Sequence, residues 1–173
     1  MTNRSYEHTQ PGYVILVAMG IGSLIPLGML LVAPRTPEGE AARWISGSVL
    51  VIPGVCAILF SSLTITIGDG RLEWRFGPGL IRGSAALADI EDVEPTSTRF
   101  IHGWGIHLTP RGWLYNVSGR EAVWVKMRGG DSFLLGTDEP EKLAEAIRTA
   151  QRAAAIRPNG TEDEDVFAPG DTV

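Results

Sequence analysis

Two of the three histidines, His102 and His107, are the side chains best suited to acid–base or metal chemistry. They are five positions apart, so on an extended strand they point to opposite faces and cannot share a metal ion. Catalysis by either one would need an oriented partner such as a carboxylate. The chain contains no G-x-S-x-G, H-E-x-x-H or Walker sequence. We therefore expect no enzymatic activity, metal or cofactor; a hydrolytic site near His102 or His107 is the alternative.

Arginines supply the second candidate chemistry, which is the binding of an anion. Arg71, Arg75 and Arg82, with Arg99 farther on, follow closely after a long apolar run. Arginines at a membrane surface attract anionic lipid headgroups by about 1 kcal/mol each. The alternative is that they form only the solvated face of a β-hairpin with Glu73 as a partner, where ion pairs contribute little. The sequence thus predicts Arg71, Arg75 and Arg82 as lipid-binding residues.

Aromatic residues in the second half of the chain are candidates for contact with a protein partner. Trp124 alternates with Val123 and Val125, so it faces away from them and is expected on the surface. Together with Trp104 it forms the predicted partner-binding set. The alternative for these residues, and equally for Trp113 and Tyr115, is packing in the core or along an edge.

Two apolar segments must position these residues at a membrane. Residues 13–33 contain no charge, and as a helix they would be about 30 Å long, which matches the hydrocarbon core of a bilayer. A second segment, 44–62, is joined to the first by the polar residues 34–43. Tyr13 and Trp44 are typical of membrane interfaces. We predict a transmembrane helical hairpin over residues 13–62.

The hairpin places both termini on the same side of the membrane. A cleaved signal peptide is a poor alternative for the first segment, because its apolar core is too long and no A-x-A site follows. Arginine predominates on the side of the termini, which favours a cytoplasmic location at the inner or plasma membrane. The arginines compared are Arg4, Arg71, Arg75 and Arg82 on that side, and Arg35 and Arg43 in the loop.

A β-rich domain follows over residues 62–156. The sequence LTITIGDGRLEWRF alternates apolar and polar residues around Asp69-Gly70, a dipeptide typical of a type I′ hairpin turn. Short alternating segments separated by glycine-rich turns continue to about residue 136, and an amphipathic helix is predicted over 138–155. We expect a strongly bent antiparallel β-sandwich or barrel of about seven strands, capped by this helix, so the fold class is an α+β membrane protein.

The two ends of the chain are expected to be unstructured. Residues 1–12 are polar and are predicted to form a flexible tail. Residues 157–173 hold five carboxylates against one arginine, and we expect a disordered acidic tail there. Because this tail carries most of the net charge of −5, the remainder is close to neutral and shows no nucleic-acid-binding pattern.

The order of elements resembles the pleckstrin-homology-like (PH-like) fold, in particular small bacterial membrane proteins with a PH-like domain after two spans. The resemblance is carried by LTITIGDGRLEWRFG, GWGIHLTPRGWLYNVSG and FLLGTDEPEKLAEAI, and it covers about residues 62–155. The family is largely uncharacterised, so the resemblance implies a fold and a membrane location more than an activity. Eukaryotic PH domains often bind phosphoinositides through a basic pocket between the first two strands. Here that turn is the short, acidic Gly68-Asp69-Gly70 without a lysine cluster, which argues against phosphoinositide binding.

Two functional hypotheses from different classes follow. The first is a membrane-anchored, non-enzymatic binding module that contacts an unknown protein partner or assembles with itself, using exposed strand edges. The second is a sensor of anionic lipid headgroups that acts through Arg71, Arg75 and Arg82. A triple Arg→Ala substitution separates them, since only lipid sensing predicts a loss of binding to anionic bilayers.

Overall fold

The computed structural model describes residues 4–98 and 105–156. Helices and strands in these residues follow one another in this order: β1 (Arg4–Pro11), α1 (Tyr13–Val32), α2 (Pro37–Leu59), β2 (Ser62–Gly68), β3 (Arg71–Phe76), β4 (Ile81–Ala86), a 3-10 turn (Leu87–Asp89), β5 (Ile90–Ser97), β6 (Gly105–Thr109), β7 (Gly112–Asn116), β8 (Glu121–Met127), β9 (Ser132–Gly136) and α3 (Pro140–Ile156). The architecture is α+β, with two long apolar helices, two β-sheets and a C-terminal helix.

Both apolar helices are long and hydrophobic enough to cross a membrane. The most apolar windows of α1 and α2 have mean hydropathies of 2.4 and 1.7, and only 6% of each window is buried. A helix in the core of a soluble domain would be mostly buried, whereas the other described residues leave most of α1 and α2 exposed. The second helix begins seven residues earlier than predicted, because Thr36 accepts a hydrogen bond from Gly39 N (3.2 Å) and Pro37 occupies the first helical position.

The helices join the first sheet without a linker. Only Gly12 separates β1 from α1, and only Phe60 and Ser61 separate α2 from β2. Gly12 N donates to Ser61 O (2.8 Å), and Pro11 lies opposite Ser62 in the β1–β2 ladder. The helical hairpin therefore continues directly into a pair of hydrogen-bonded strands.

Sheet A has the strand order β1-β2-β3-β4, and all its neighbours are antiparallel. Its hairpin turn confirms the predicted Asp69-Gly70 signal, since these residues have φ of 47° and 74°. The apolar side chains of β2 and β3 stand at alternate positions and are buried in the main core, which includes Leu63, Ile65, Ile67, Leu72, Trp74 and Phe76. The opposite face of sheet A carries polar and charged residues.

Sheet B has the strand order β5-β8-β9-β7-β6. Helix α3 packs on it through the buried residues Leu143, Ala144 and Ile147. Arg148 also donates to Val93 O (2.6 Å), and Gln151 donates to the carbonyl of Ile90 (2.9 Å). The predicted C-terminal helix is thus confirmed, although it begins at Pro140 rather than at 138.

The prediction of a flexible N-terminal tail over 1–12 is wrong for the residues that the structure describes. Arg4–Pro11 forms a strand that pairs along the whole of β2. Tyr6, His8 and Gln10 point toward the protein and are half-buried or buried, whereas Ser5, Glu7 and Thr9 between them are exposed. The pattern was missed because the inward-facing side chains are polar or only partly apolar. Residues 157–173, predicted to be a disordered tail, lie outside the described part.

The predicted seven-stranded antiparallel sandwich or barrel also needs correction. The described residues form nine strands in two sheets, with no closed barrel. Strand β4 was missed because its sequence, IRGSAA, has little apolar alternation. Strand β9 lies between β7 and β8, which run in opposite directions, so it is antiparallel to β8 and parallel to β7.

Candidate functional site

A groove of about 560 Å³ lies on the polar face of sheet A. Its charged lining comprises Arg4, Glu7, Glu73, Arg75 and Arg82. These side chains come from β1, β3 and β4, while Thr64 and Thr66 of β2 form part of the floor. Because residues on one face of a sheet recur at every second position, the alternation of β3 brings Glu73 and Arg75 to this face.

Arg75 and Arg82 form an unusual pair in this groove. They are directly opposite each other in the β3–β4 ladder, and both are exposed. Like charges at opposing positions destabilise a sheet. Within residues 4–98 and 105–156, neither guanidinium has a carboxylate at ion-pair distance. Among the described residues, the sheet thus holds two cations side by side that form no ion pair with a carboxylate.

The other arginines near the groove already have partners. Arg4 forms an ion pair with Glu7 (2.9 Å), and Arg71 donates a hydrogen bond to Ser84 Oγ (2.8 Å). Arg71 is four residues from Arg75 along β3, or about 13 Å at roughly 3.3 Å per residue. The structure therefore brings together only Arg75 and Arg82 of the three predicted lipid-binding residues, and it leaves Arg71 at the far end of the strand.

The Arg75–Arg82 pair lies at the end of sheet A where the helices enter. Arg75 is opposite Thr64, the third residue of β2 after α2 ends. Its Cδ lies 3.9 Å from the position that a Cβ on Gly79 would occupy, so the side chain extends toward the β3–β4 turn. That turn packs against the last residues of α2, because a Cβ on Gly77 would overlap Ile58 O and lie 2.9 Å from Leu59 O.

Trp124, a predicted partner-binding residue, is half-buried on the outer face of sheet B. It faces away from Val123 and Val125, as predicted, and packs against a small cluster of Leu114, Ala122 and Leu134. Its indole N–H donates to Arg111 O (3.3 Å), and the Arg111 guanidinium lies 5.7 Å from the ring centroid. The second predicted residue, Trp104, lies outside the described part, as do Arg99 and His102.

Two apolar side chains, Leu108 and Trp113, are more exposed than Trp124 and were not predicted as a pair. Leu108 and Trp113 are opposite each other in the β6–β7 hairpin and are 69% and 50% exposed. Their exposure could not be predicted from residue type, because other apolar residues at alternate positions of the same strands are packed in the core. Their exposure becomes apparent only in the folded structure, where they lie next to the β6–β7 turn.

The histidines form no metal centre in the described chain. Residues 4–98 and 105–156 contain no group of three or more His, Cys, Asp and Glu side chains that could hold a metal ion. His107 lies on β6. His8, which the sequence analysis placed in a flexible tail, instead contacts two acidic residues before α3: Nε2 lies 2.6 Å from Asp138 Oδ1, and Nδ1 lies 3.7 Å from Glu139 Oε2.

No protein-family model matches the chain, and a search of curated proteins also finds no match.

Proposed function

We propose that this chain is an integral membrane protein whose PH-like domain binds the phosphate of an anionic lipid headgroup between Arg75 and Arg82. The observation that carries the proposal is the Arg75–Arg82 pair, which forms no ion pair within the described part of the chain and lies at the end of sheet A that adjoins the apolar helices. A phosphate between the two guanidinium groups would accept charge-assisted hydrogen bonds from both and offset their mutual repulsion.

The rest of the groove favours a headgroup with few phosphates. Glu73 is two residues from Arg75 on the same face, and Glu7 pairs with Arg4 farther from the helices. Additional phosphates that extended along the groove would approach these carboxylates and be repelled. This distribution favours a singly charged phospholipid over a polyphosphoinositide, in keeping with the short acidic turn at Gly68-Asp69-Gly70.

The proposed sidedness follows from the arginine distribution. With both helices crossing the bilayer, the β-domain lies on the side that carries more arginine, which is the cytoplasmic side. Anionic lipids give a cytoplasmic leaflet its negative surface potential. The helical hairpin then holds the Arg75–Arg82 pair next to the leaflet that contains its ligand, so even weak binding to one headgroup is sufficient for occupancy.

The experiment uses the full chain reconstituted in neutral phosphatidylcholine bilayers that contain traces of spin-labelled lipids. Electron paramagnetic resonance gives the association constant of labelled phosphatidylglycerol relative to labelled phosphatidylcholine. At about 1 kcal/mol per arginine, Arg75→Ala/Arg82→Ala should reduce this preference by up to about 30-fold. The preference of the wild-type chain should also weaken as salt is raised.

The control is Arg71→Ala/Arg152→Ala, which removes the same charge from the far end of β3 and from an exposed position of α3. This variant should keep most of the preference for phosphatidylglycerol. An equal loss in both double variants would show only a general charge effect, and an unchanged preference in Arg75→Ala/Arg82→Ala would refute the proposed site.

A second candidate function is assembly with a protein partner or with a second copy, favoured by the exposed pair Leu108 and Trp113. An apolar pair at a hairpin tip is suited to a small protein contact. Crosslinking of the full chain in bilayers tests it: Leu108→Ser/Trp113→Ser should abolish a crosslinked product that Arg75→Ala/Arg82→Ala retains. Equal crosslinking of both variants would exclude this surface as the contact.

A further inference from the structure

The β3–β4 turn, Gly77–Leu80, is held rigidly against the end of α2. Gly77 and Gly79 have φ of 41° and 89°, in the left-handed region that favours glycine. Gly77 N donates to Ser62 O (2.8 Å), and Gly79 N donates to Phe76 O (2.7 Å). Because Gly77 also packs against Ile58 and Leu59, the turn lies level with the last residues of the apolar helix.

Leu80, the last residue of this turn, projects away from the protein. It is 78% exposed, although Ile81 beside it is packed against the main core. Leu80 is thus a large apolar side chain on a rigid loop, and nothing in the described chain covers it. Arg75 and Arg82 lie just beyond it, on the side away from α2.

We propose that the turn Gly77–Leu80 is a third membrane contact of the chain, after the helical hairpin and the Arg75–Arg82 pair. In this contact Leu80 inserts between the headgroups and acyl chains of the leaflet in which α2 ends. An apolar side chain flanked by cations is the combination by which peripheral segments bind an interface. Because the turn packs against the end of α2, the lipid around α2 is the apolar partner nearest to Leu80, and we therefore propose the bilayer as its partner. The inference rests on the membrane anchoring proposed above and adds a residue that holds the β-domain against the surface.

The test places an environment-sensitive fluorophore at single cysteines in the full chain, with native Cys56 replaced by alanine. Leu80→Cys reports the turn. Ala88→Cys is the matched control, since Ala88 is also exposed but follows β4 at the opposite end, where Leu87 N bonds to Gly70 O (2.9 Å). Both variants are reconstituted in phosphatidylcholine bilayers with or without lipids brominated near the headgroup. Neither substitution removes a core contact.

We expect the emission of the Leu80→Cys label to be blue-shifted relative to the Ala88→Cys label and to be quenched by the brominated lipid. Emission like that of the control, without quenching, would overturn the inference. A blue shift without quenching would also overturn it, since a second copy of the chain would then cover Leu80. Alkaline extraction of the same samples separates the two proposals: a chain that stays in the bilayer while its Leu80→Cys label is in water refutes the third contact alone, whereas an extracted chain refutes the anchoring.

Discussion

Substitution of Gly83 by alanine tests how the core of the β-domain is packed. Gly83 is opposite Trp74 in the β3–β4 ladder, and a Cβ at this position would overlap Trp74 Cζ2 and lie 2.9 Å from Nε1. The indole cannot retreat easily, because its ring stacks on Phe133 with centroids 4.9 Å apart and also contacts Tyr115 at 5.3 Å. Trp74 can therefore occupy its position only because residue 83 has no side chain.

The sign of the stability change distinguishes this packing from an ordinary glycine effect. Gly83 does not have the positive φ that would exclude alanine. A Gly→Ala change at such a position normally stabilises by about 0.4–1 kcal/mol, because it restricts the unfolded chain. Insertion of a methyl group into a well-packed core costs about 1–3 kcal/mol. We expect a net loss of about 1–2 kcal/mol, which lowers Tm by roughly 2–8 °C.

The assay is thermal unfolding of the full chain in detergent, followed by near-ultraviolet circular dichroism of the aromatic residues. Gly129→Ala is the control, because a Cβ at Gly129 meets no atom of residues 4–98 and 105–156 within 4 Å and its φ is not positive. The effect of Gly83→Ala should also shrink in a Trp74→Leu background, since the overlapping ring is then absent. A Gly83→Ala variant that melts at or above the wild-type temperature would refute the packing.

Further predictions concern the contacts of β1 and the β7–β8 turn. Burial, and then the charges of Glu139 and Asp138, raise the pKa of Tyr6 to about 12. Folding thus favours the neutral phenol, so the protein loses stability as the pH rises from about 10 through 12. The Tm of Tyr6→Phe should fall less than that of the wild type over this range, and an equal fall would contradict the raised pKa of Tyr6. Asn116→Ala should lower the free energy of unfolding by about 1–3 kcal/mol, because the buried side-chain amide donates to Gly119 O and accepts from Ser118 N. An unchanged Tm in thermal unfolding would show that these hydrogen bonds are dispensable. His8→Ala should cost only about 0.2–1 kcal/mol in the same assay, since its contact with Asp138 is partly exposed, and a larger loss would show that the contact holds α3 to β1.

The elements with strong local patterns could be predicted from the sequence. The uncharged run after Tyr13 and the apolar run after Trp44 predicted the two long helices, and Asp69-Gly70 predicted the β2–β3 turn. In each case the determinant is local: composition and length for a helix, and positive φ for a turn. The amphipathic stripe of Leu143 and Ile147 likewise predicted α3.

Strands whose character depends on distant partners could not be predicted. The inward positions of β1 hold Tyr6, His8 and Gln10, and these are covered by segments distant in sequence: the main core, the residues before α3 and the β7–β8 turn, respectively. In β4 the decisive residue is Gly83, whose lack of a side chain is explained by the ring of Trp74. Neither strand carries the apolar alternation from which a strand is normally predicted.

The candidate site was predicted in part. The sequence placed Arg71, Arg75 and Arg82 near a membrane, but spacing along the chain could not show which of them meet. The register of β3 and β4 decides this by setting Arg75 against Arg82, and a shift by one residue would have placed Arg82 on the other face. Charges that become neighbours through register are visible only in the folded sheet.

The direct junction between the helical hairpin and the β1–β2 ladder limits the motions that the two helices can make. Each helix continues into one strand of the same ladder, so a piston displacement of α1 along α2 would shear that ladder. A ladder slips only in steps of one residue, about 3.3 Å, and one step would turn Tyr6 and Gln10 outward. Sliding of the helices is therefore opposed by the whole sheet. The ladder itself does not oppose tilting of the hairpin as a unit, and such a tilt would rotate the β-domain and its Arg75–Arg82 pair by the same angle.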